Sequence, residues 1–365
     1  TPDWSAAVEI GKVVTSNSDS RTVLFVDNSS GKPTLSRFKY KKDPSPSVWS
    51  GQIEKTIYEK YFNGMGVQLS QISGADLKPD QKGMLNDGSN TATYMVDYLR
   101  GQSQYRPIFN PKKQTMGDFM NSPATYVGPS RYKWIDAGYA TFANLQSKNP
   151  AMVYIGGNDG MLHAFNASTG KEEWAIIPSQ LMPKLYKMAD AQYPQNHEYY
   201  VDGQIVAKDV YDGSWKTYLF VGMGAGGKGY LILDITSPLV PSVVNEICTD
   251  PILCSLTDPD LGLTYGNPLL TKRGYDDRWV AYFTNGYDSI NGSGILYEYD
   301  LAAKTLRKFN APGTYSSSNQ VGLSQINAYY ENFDADNKTN LLYAGGLNGV
   351  LYRVDLSQAN PSLVP

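Results

Sequence analysis

Four segments of the chain share one pattern of apolar and polar positions: an apolar run, a glycine-rich turn, a second apolar run and a closing Asp or Asn. In chain order the segments are residues 153–166, 219–234, 280–300 and 342–355. Their closing residues lie 68, 66 and 55 residues apart and are Asn166, Asp234, Asp300 and Asp355. Short apolar runs joined by Asn, Asp and Gly predict β-hairpins, because these residues accept the positive φ of tight turns.

A further strand-like stretch precedes each predicted hairpin, at residues 122–127, 204–207, 267–270 and 325–329. Repeats of this size that approach four strands per unit are typical of propeller blades. We therefore predict an all-β fold, a modified β-propeller with four clear blades that is incomplete in this chain. A β-sandwich with coincidental turns is the alternative. A short helical insertion is predicted at residues 180–189, between two prolines.

The first part of the chain shows no clear repeat. Residues 53–62 and 94–99 have spacing compatible with helices, and residues 69–90 are polar and contain glycine, as loops do. We predict that residues 1–110 form a lead-in segment of the same domain and that residues 111–365 form the propeller repeats. The opening residues, Thr1 to Trp4, indicate a segment taken from inside a longer protein.

The composition argues against several functional classes. Charged residues make up 18% of the 365 positions and the net charge is −3, so no basic field is present to attract nucleic acid. No run of 18 apolar residues occurs, so no transmembrane segment is predicted. The 28 Tyr and 34 Gly suit short strands and tight turns rather than a helical bundle.

The only two cysteines, Cys248 and Cys254, are separated by five residues. A disulfide closing a small loop is the preferred interpretation and would indicate an oxidising compartment. Two free buried thiols remain an alternative. A metal site is disfavoured, because two thiolates with no nearby His make a poor zinc site.

A set of motifs lies at residues 116–128, 153–166, 169–173, 177–179, 200–203, 222–229, 234–236, 343–349 and 353–356. In this combination and order the motifs resemble the C-terminal domain of the PilC/PilY family of type IV pilus tip-associated adhesins. The resemblance covers about residues 94–357.

This resemblance implies a propeller related to the quinoprotein alcohol dehydrogenase fold. It also implies a secreted protein of the bacterial cell surface, pilus tip or outer membrane. The implied roles are pilus biogenesis, pilus extension against retraction, twitching motility, and attachment to host cells or abiotic surfaces. The implied partners are minor pilins or the pilus tip. Virulence follows from these roles as an expectation.

The segment 332–340 places oxygen-bearing side chains at positions 1, 3, 5 and 9 of a loop, at Asn332, Asp334, Asp336 and Asn340. Alternate side chains at this spacing turn toward a cation as the loop curls around it, and Lys338 can offer its backbone carbonyl. Asn337, at position 6, is then expected to have positive φ. Spacing alone leaves a calcium site and a solvated polar turn equally open.

The resemblance favours Ca²⁺, because the family's calcium loop reads D-x-D-x-D-N-x-x-D. Asp334, Asp336 and Asn337 match it, whereas Asn332 and Asn340 replace aspartates. The loop charge falls to −2, which predicts weak binding with Kd of about 10⁻⁴ to 10⁻³ M.

Two other functions are alternatives to a calcium-dependent adhesin. A scaffold propeller for outer-membrane assembly is one. A quinoprotein dehydrogenase is the other, because residues 164–174 resemble the tryptophan-docking repeat of that class, in which Trp174 would pack between blades. The adjacent Cys-Cys pair typical of those enzymes is missing, and two His, His163 and His197, supply no catalytic triad. We predict no enzyme. The glycine run 222–229 lacks a Gly-Lys-Ser/Thr ending and is predicted to be a hairpin.

Overall fold

The computed structural model of the chain describes residues 21–28, 30–38, 95–102, 109, 115–189 and 193–365. The predicted helix at residues 53–62 and the predicted loop at 69–90 lie outside this part. The boundary placed at residue 110 stays a prediction.

Nineteen strands run through the described residues. In chain order they are β1 (Val23–Asp27), β2 (Thr34–Arg37), β3 (Thr125–Val127), β4 (Met152–Gly156), β5 (Leu162–Asn166), β6 (Glu172–Ile177), β7 (Ile205–Tyr211), β8 (Trp215–Gly222), β9 (Gly229–Asp234), β10 (Ser242–Cys248), β11 (Leu256–Thr257), β12 (Leu269–Arg273), β13 (Trp279–Thr284), β14 (Ile295–Asp300), β15 (Thr305–Asn310), β16 (Leu323–Tyr330), β17 (Lys338–Gly346), β18 (Leu351–Asp355) and β19 (Leu363–Val364).

The strands form four antiparallel units of four, each with neighbours in chain order: β3–β6, β7–β10, β12–β15 and β16–β19. β1 extends the first unit by pairing parallel with β6, and β2 pairs with β1. β11 pairs parallel with β10 at the far edge of the second unit. The all-β prediction and the four predicted repeats are confirmed.

The third and fourth units merge into one sheet, which the sequence pattern did not predict. β12 and β17, from different units, pair in parallel through Lys272↔Lys338 and Arg273↔Thr339. The pairing joins strands far apart in sequence, so no local periodicity reports it.

The first strands of successive units approach one another, β3 to β7 and β7 to β12. Thr125 Oγ1 donates to the Ile205 carbonyl across the first of these contacts, at 3.0 Å. The strands behind them are covered on both faces, so every residue of β13 and β14 is buried. Trp174 is fully buried, and its indole N–H donates to Pro238 O of the second unit at 2.8 Å. The expected packing of this residue between blades is confirmed.

Three helical segments accompany the strands within the described ranges. Residues 95–99 form a short helix, α1, within the predicted stretch, and residues Ser179–Ala189 form a 3-10 helix at the predicted insertion. The helix Tyr139–Gln146, α2, was not predicted. Cys248 and Cys254 form a disulfide bond, as preferred from the sequence. No helix in the described part is long and apolar enough to cross a membrane.

Candidate metal site and neighbouring polar clusters

The loop 332–340 connects β16 to β17, whose last pair is Tyr330↔Thr339. It begins as a tight turn, because the backbone N–H groups of Ala335 and Asp336 both donate to Asn332 O, at 3.2 and 3.1 Å. Asn340 already lies within β17. The proposed ligands therefore span a turn and the start of a strand.

Two of the proposed donors are uncommitted. The side chains of Asn332 and Asp334 are exposed and form no hydrogen bond or ion pair with the described residues. Asp336 is half-buried, and its Oδ1 accepts the backbone N–H of Lys338 at 3.0 Å. Asn340 donates through Nδ2 to Glu331 Oε1 at 2.6 Å. Within the described residues, no three or more His, Cys, Asp or Glu side chains converge as a metal cluster.

Asn337 has φ of 52°, which confirms the conformation expected at position 6. Contacts with β12 hold it there. The Asn337 carbonyl accepts from Lys272 N at 3.1 Å and from Thr271 Oγ1 at 2.7 Å, and the residue is fully buried. The positive φ is compatible with either an ion loop or a polar turn.

The charges around the loop favour a bound cation, because the positive charge of Lys338 is paired with Asp277 and the other charged side chains are carboxylates. The Lys338 ammonium lies 2.7 Å from Asp277 Oδ1, and this hydrogen bond raises the pKa of Lys338. Glu331, which sequence analysis missed, adds a third carboxylate to those of Asp334 and Asp336. Two carboxylates, two amide oxygens and one backbone carbonyl form a donor set that fits weakly held Ca²⁺.

The loop is fastened to the segment that precedes α2. Trp134 Nε1 donates to Phe333 O at 3.3 Å, and Ile135 N donates to Ala335 O at 3.0 Å. The Phe333 ring also meets Tyr330 edge-on, with 4.9 Å between centroids. The loop is therefore in direct contact with the first unit through these two hydrogen bonds.

Lys208, on β7, is buried against aromatic rings. Its Nζ lies 4.4 Å from the ring centroid of Phe333, 4.6 Å from that of Tyr132 and 5.5 Å from that of Trp134. Nζ forms no ion pair or hydrogen bond with the described residues. Burial lowers the pKa of Lys208 to about 8. No local sequence pattern indicates this cluster, because its rings come from segments far apart in the chain.

His163 is fully buried, as a packed strand residue. Its Nε2 lies 3.0 Å from Asp159 Oδ1 and its Nδ1 lies 2.8 Å from Glu172 Oε1, which also faces the Arg21 guanidinium. Burial opposes the charged ring, but the charges and hydrogen bonds of the two carboxylates prevail and raise the pKa of His163 to about 9. With two cations and two anions the cluster is balanced and structural.

The two predicted hairpins are also present. Residues 222 and 229 end β8 and begin β9, which pair antiparallel. Asn158 and Asp159 lie in the β4–β5 turn, which Gly157 N closes by donating to Met161 O. Neither glycine-containing turn opens a helix, so neither offers a phosphate site.

Comparison with known proteins identifies relatives over most of the chain. The family described as the PilY1 beta-propeller domain matches residues 116–363. Type IV pilus biogenesis factor PilY1 of Pseudomonas aeruginosa (strain UCBPP-PA14) is 32% identical over 308 residues, which are 81% of this chain and 25% of that protein. The PilY1 homolog of Xylella fastidiosa is 32% identical over 340 residues, 85% of this chain and 22% of the relative.

A solved structure agrees with these matches. The crystal structure of the Pseudomonas aeruginosa PilY1 C-terminal domain superposes with a TM-score of 0.52 at 32% identity, covering 63% of this chain and 45% of that one. The chain thus spans about a quarter of the length of the curated relatives. The predicted propeller is confirmed, and the chain belongs to the family of PilY1 β-propeller domains.

Proposed function

We propose that this chain is a calcium-binding, non-catalytic propeller domain of a type IV pilus biogenesis factor. The relatives carry the name of such factors, and that name supports a role with the pilus machinery. The finer proposal is a domain at the cell surface or pilus tip. There it supports extension against retraction, twitching motility and attachment, in contact with minor pilins.

The observation that carries the calcium proposal is the pair of uncommitted oxygen donors at Asn332 and Asp334, beside Asp336. Without a cation, the carboxylates of Asp334, Asp336 and Glu331 raise the negative potential of one short turn. Asn332, Asp334, Asp336 and Asn340 would hold the ion with their side chains, and Lys338 with its carbonyl. A bound ion would offset the repulsion and order the start of β17.

Calorimetric titration with CaCl₂ tests the site in three proteins: wild type, the double variant Asp334→Ala/Asp336→Ala, and Asp288→Asn. Asp288 is the matched control, because it is an exposed carboxylate in another turn whose φ of 58° suits asparagine. We expect one site with Kd of about 10⁻⁴ to 10⁻³ M in wild type and the control. The double variant should show no binding heat and no rise in melting temperature with calcium.

The same variants placed in the full-length factor test the cellular role. Cells with the double variant should lose twitching motility or attachment while producing a folded protein, and Asp288→Asn cells should behave as wild type. Equal calcium binding by all three proteins would refute the site. Calcium binding with normal motility and attachment in the double variant would refute its role in pilus function.

A further inference from the structure

A cleft of about 420 Å³ lies between the first and second units. Met152 and Tyr154 of β4 meet Ala207 of β7 there, and residues 126–132 form the rim. None of the proposed ligands of the calcium loop lines the cleft.

One polar atom in the cleft wall lacks a partner. Tyr154 is fully buried, and its phenolic oxygen meets no hydrogen-bond partner in the described residues. Burial raises the pKa of Tyr154, so the hydroxyl stays protonated and can donate. Leaving such a group unpaired is unfavourable, and a ligand oxygen would supply the missing partner.

An exposed aromatic ring stands at the rim. Tyr126 is 60% exposed, and its ring lies close to Gly128: a Cβ on Gly128 would lie 2.4 Å from its hydroxyl and 2.7 Å from its ring. Glycine at 128 thus allows the ring to rest against the backbone. The exposed ring offers a flat face to a ligand.

The uncommitted charge in the cleft is positive. Asp209 is satisfied, because its two oxygens accept from Tyr139 Oη at 2.8 Å and Thr217 Oγ1 at 2.7 Å. Arg131 and Lys208 line the cleft and have no carboxylate partner among the described residues. These two cations outnumber the one carboxylate of the lining, that of Asp209, so the site favours an anionic group over a cationic one.

Neutral donors and acceptors complete the site. Asn149 uses both amide hydrogens on Gln146 Oε1 and Thr236 O, at 2.8 and 3.0 Å, which leaves its own Oδ1 and the Gln146 amide N–H groups available. Ligand hydroxyls need such a mixture of donors and acceptors.

We propose that this cleft binds a saccharide unit carrying a carboxylate, such as a uronic acid residue. Its C–H face packs on Tyr126, its carboxylate faces Arg131 and Lys208, and its hydroxyls meet Tyr154 and the two amides. A compact unit of this kind requires a flat ring, free cations and unpaired hydroxyl partners together, and the cleft supplies all three.

NMR titration of the whole chain with methyl β-glucuronide tests the proposal, against methyl β-glucoside and sodium acetate as ligands that each lack one feature. We expect saturable glucuronide binding with Kd on the order of a millimolar. The glucoside and acetate should each bind at least about fivefold more weakly. Tyr126→Ala and Arg131→Gln should each weaken glucuronide binding about tenfold, whereas Tyr211→Ala, an exposed tyrosine outside the cleft, should not.

Tyr154→Phe separates a binding role from a structural one. Its melting temperature should equal or exceed that of wild type, because the lost hydroxyl has no partner in the part of the chain that the structure describes, while glucuronide affinity should fall severalfold. Absence of saturable binding would overturn the proposal. Equal binding of glucoside or of acetate, or equal loss in Tyr211→Ala, would overturn the assigned chemistry or its place in the cleft.

Discussion

Trp134 donates its indole N–H to the backbone carbonyl of Phe333, 3.3 Å away, although the two residues are 199 positions apart. Trp134 is nearly fully buried, and its ring lies 4.4 Å from that of Tyr132 and 5.2 Å from that of Trp279. The hydrogen bond therefore ties the second residue of the candidate calcium loop to a rigid aromatic cluster. The cluster joins the first, second and third units.

Trp134→Phe should weaken calcium binding by about three- to tenfold while the fold is retained. The variant keeps an aromatic ring but removes the N–H that donates to the Phe333 carbonyl. The loop is then less ordered before binding and loses more conformational entropy when it binds an ion. Calorimetric titration measures the change. Trp215→Phe is the matched control, because its indole N–H donates to Ala137 O at 2.9 Å, outside the loop. Equal calcium affinity in wild type and Trp134→Phe would show that this link does not order the loop.

The repeated units could be predicted because their signals are local. Each hairpin turn has its own Asn, Asp or Gly, and each strand has its own apolar run. The helix α2 gave no such signal, because only Tyr139 and Phe142 of its eight residues are buried and its N-cap, Gly138, offers no side-chain hydrogen bond.

The candidate loop was found from spacing and resemblance, yet its surroundings were not. Phe333 and Lys208 meet across 125 positions, and the parallel pair Lys272↔Lys338 joins two units. Contacts of this range depend on how complete sheets pack, which a one-dimensional pattern does not encode. His163 lies in a predicted strand, but its two carboxylate partners depend on the same long-range packing.

Stability should fall as the pH rises from about 6.5 to about 9 because of His163. Its folded pKa is raised from 6.5 to about 9. The stabilisation is therefore complete below pH 6.5 and is lost as the pH rises through 9. We expect a loss of about 2 kcal/mol.

Urea unfolding at pH 6, 7.5 and 9 measures this effect. His163→Gln should be less stable at pH 6 and should lose the slope attributable to the imidazole, since Asp159 and Glu172 then lack that cation. His197→Gln, which changes an exposed ring beside Asp118, should keep the wild-type slope. A His163→Gln protein whose stability varies with pH exactly in parallel with wild type would exclude the histidine as the cause.

Removing the disulfide with Cys248→Ala/Cys254→Ala should lower the free energy of unfolding by about 2 kcal/mol. The two cysteines are only six positions apart, so the loop constrained in the unfolded chain is short. Within this loop, Leu253 O accepts hydrogen bonds from Asn28 Nδ2, at 2.6 Å, and from the hydroxyl of Ser179 at the start of the 3-10 helix. Hydrogen exchange should therefore accelerate at the start of that helix and remain unchanged in β16–β19. Uniform acceleration over the whole chain would contradict this local effect.

Lys208→Met should stabilise the protein at pH 7 by about 1 kcal/mol. Burial lowers the pKa of Lys208 from 10.5 to about 8, which means that the charged form costs stability wherever it predominates. Methionine fills a similar volume and packs well on aromatic rings, so it removes that cost while giving up the cation–π contacts with Tyr132 and Phe333. The cost is greatest at or below pH 8 and disappears as the pH approaches 10.5. The advantage of the variant should therefore shrink between pH 8 and pH 10.5.

Urea unfolding at pH 7 and pH 10 gives the two values, with Lys272→Met as the control. Lys272 is equally buried and also lies near an aromatic ring, Trp279 at 6.0 Å, but its Nζ pairs with both oxygens of Asp136 at 2.8 and 3.0 Å. Methionine there leaves a carboxylate without its partner, so we expect destabilisation of about 1–3 kcal/mol. The contrast isolates the ion pair, since burial and the aromatic neighbour are common to both positions. Lys208→Met could instead destabilise the protein as much as Lys272→Met at pH 7. That result would mean that the Lys208 ammonium has a stabilising partner besides the aromatic rings. Lys208 would then not be available to bind an anion in the cleft.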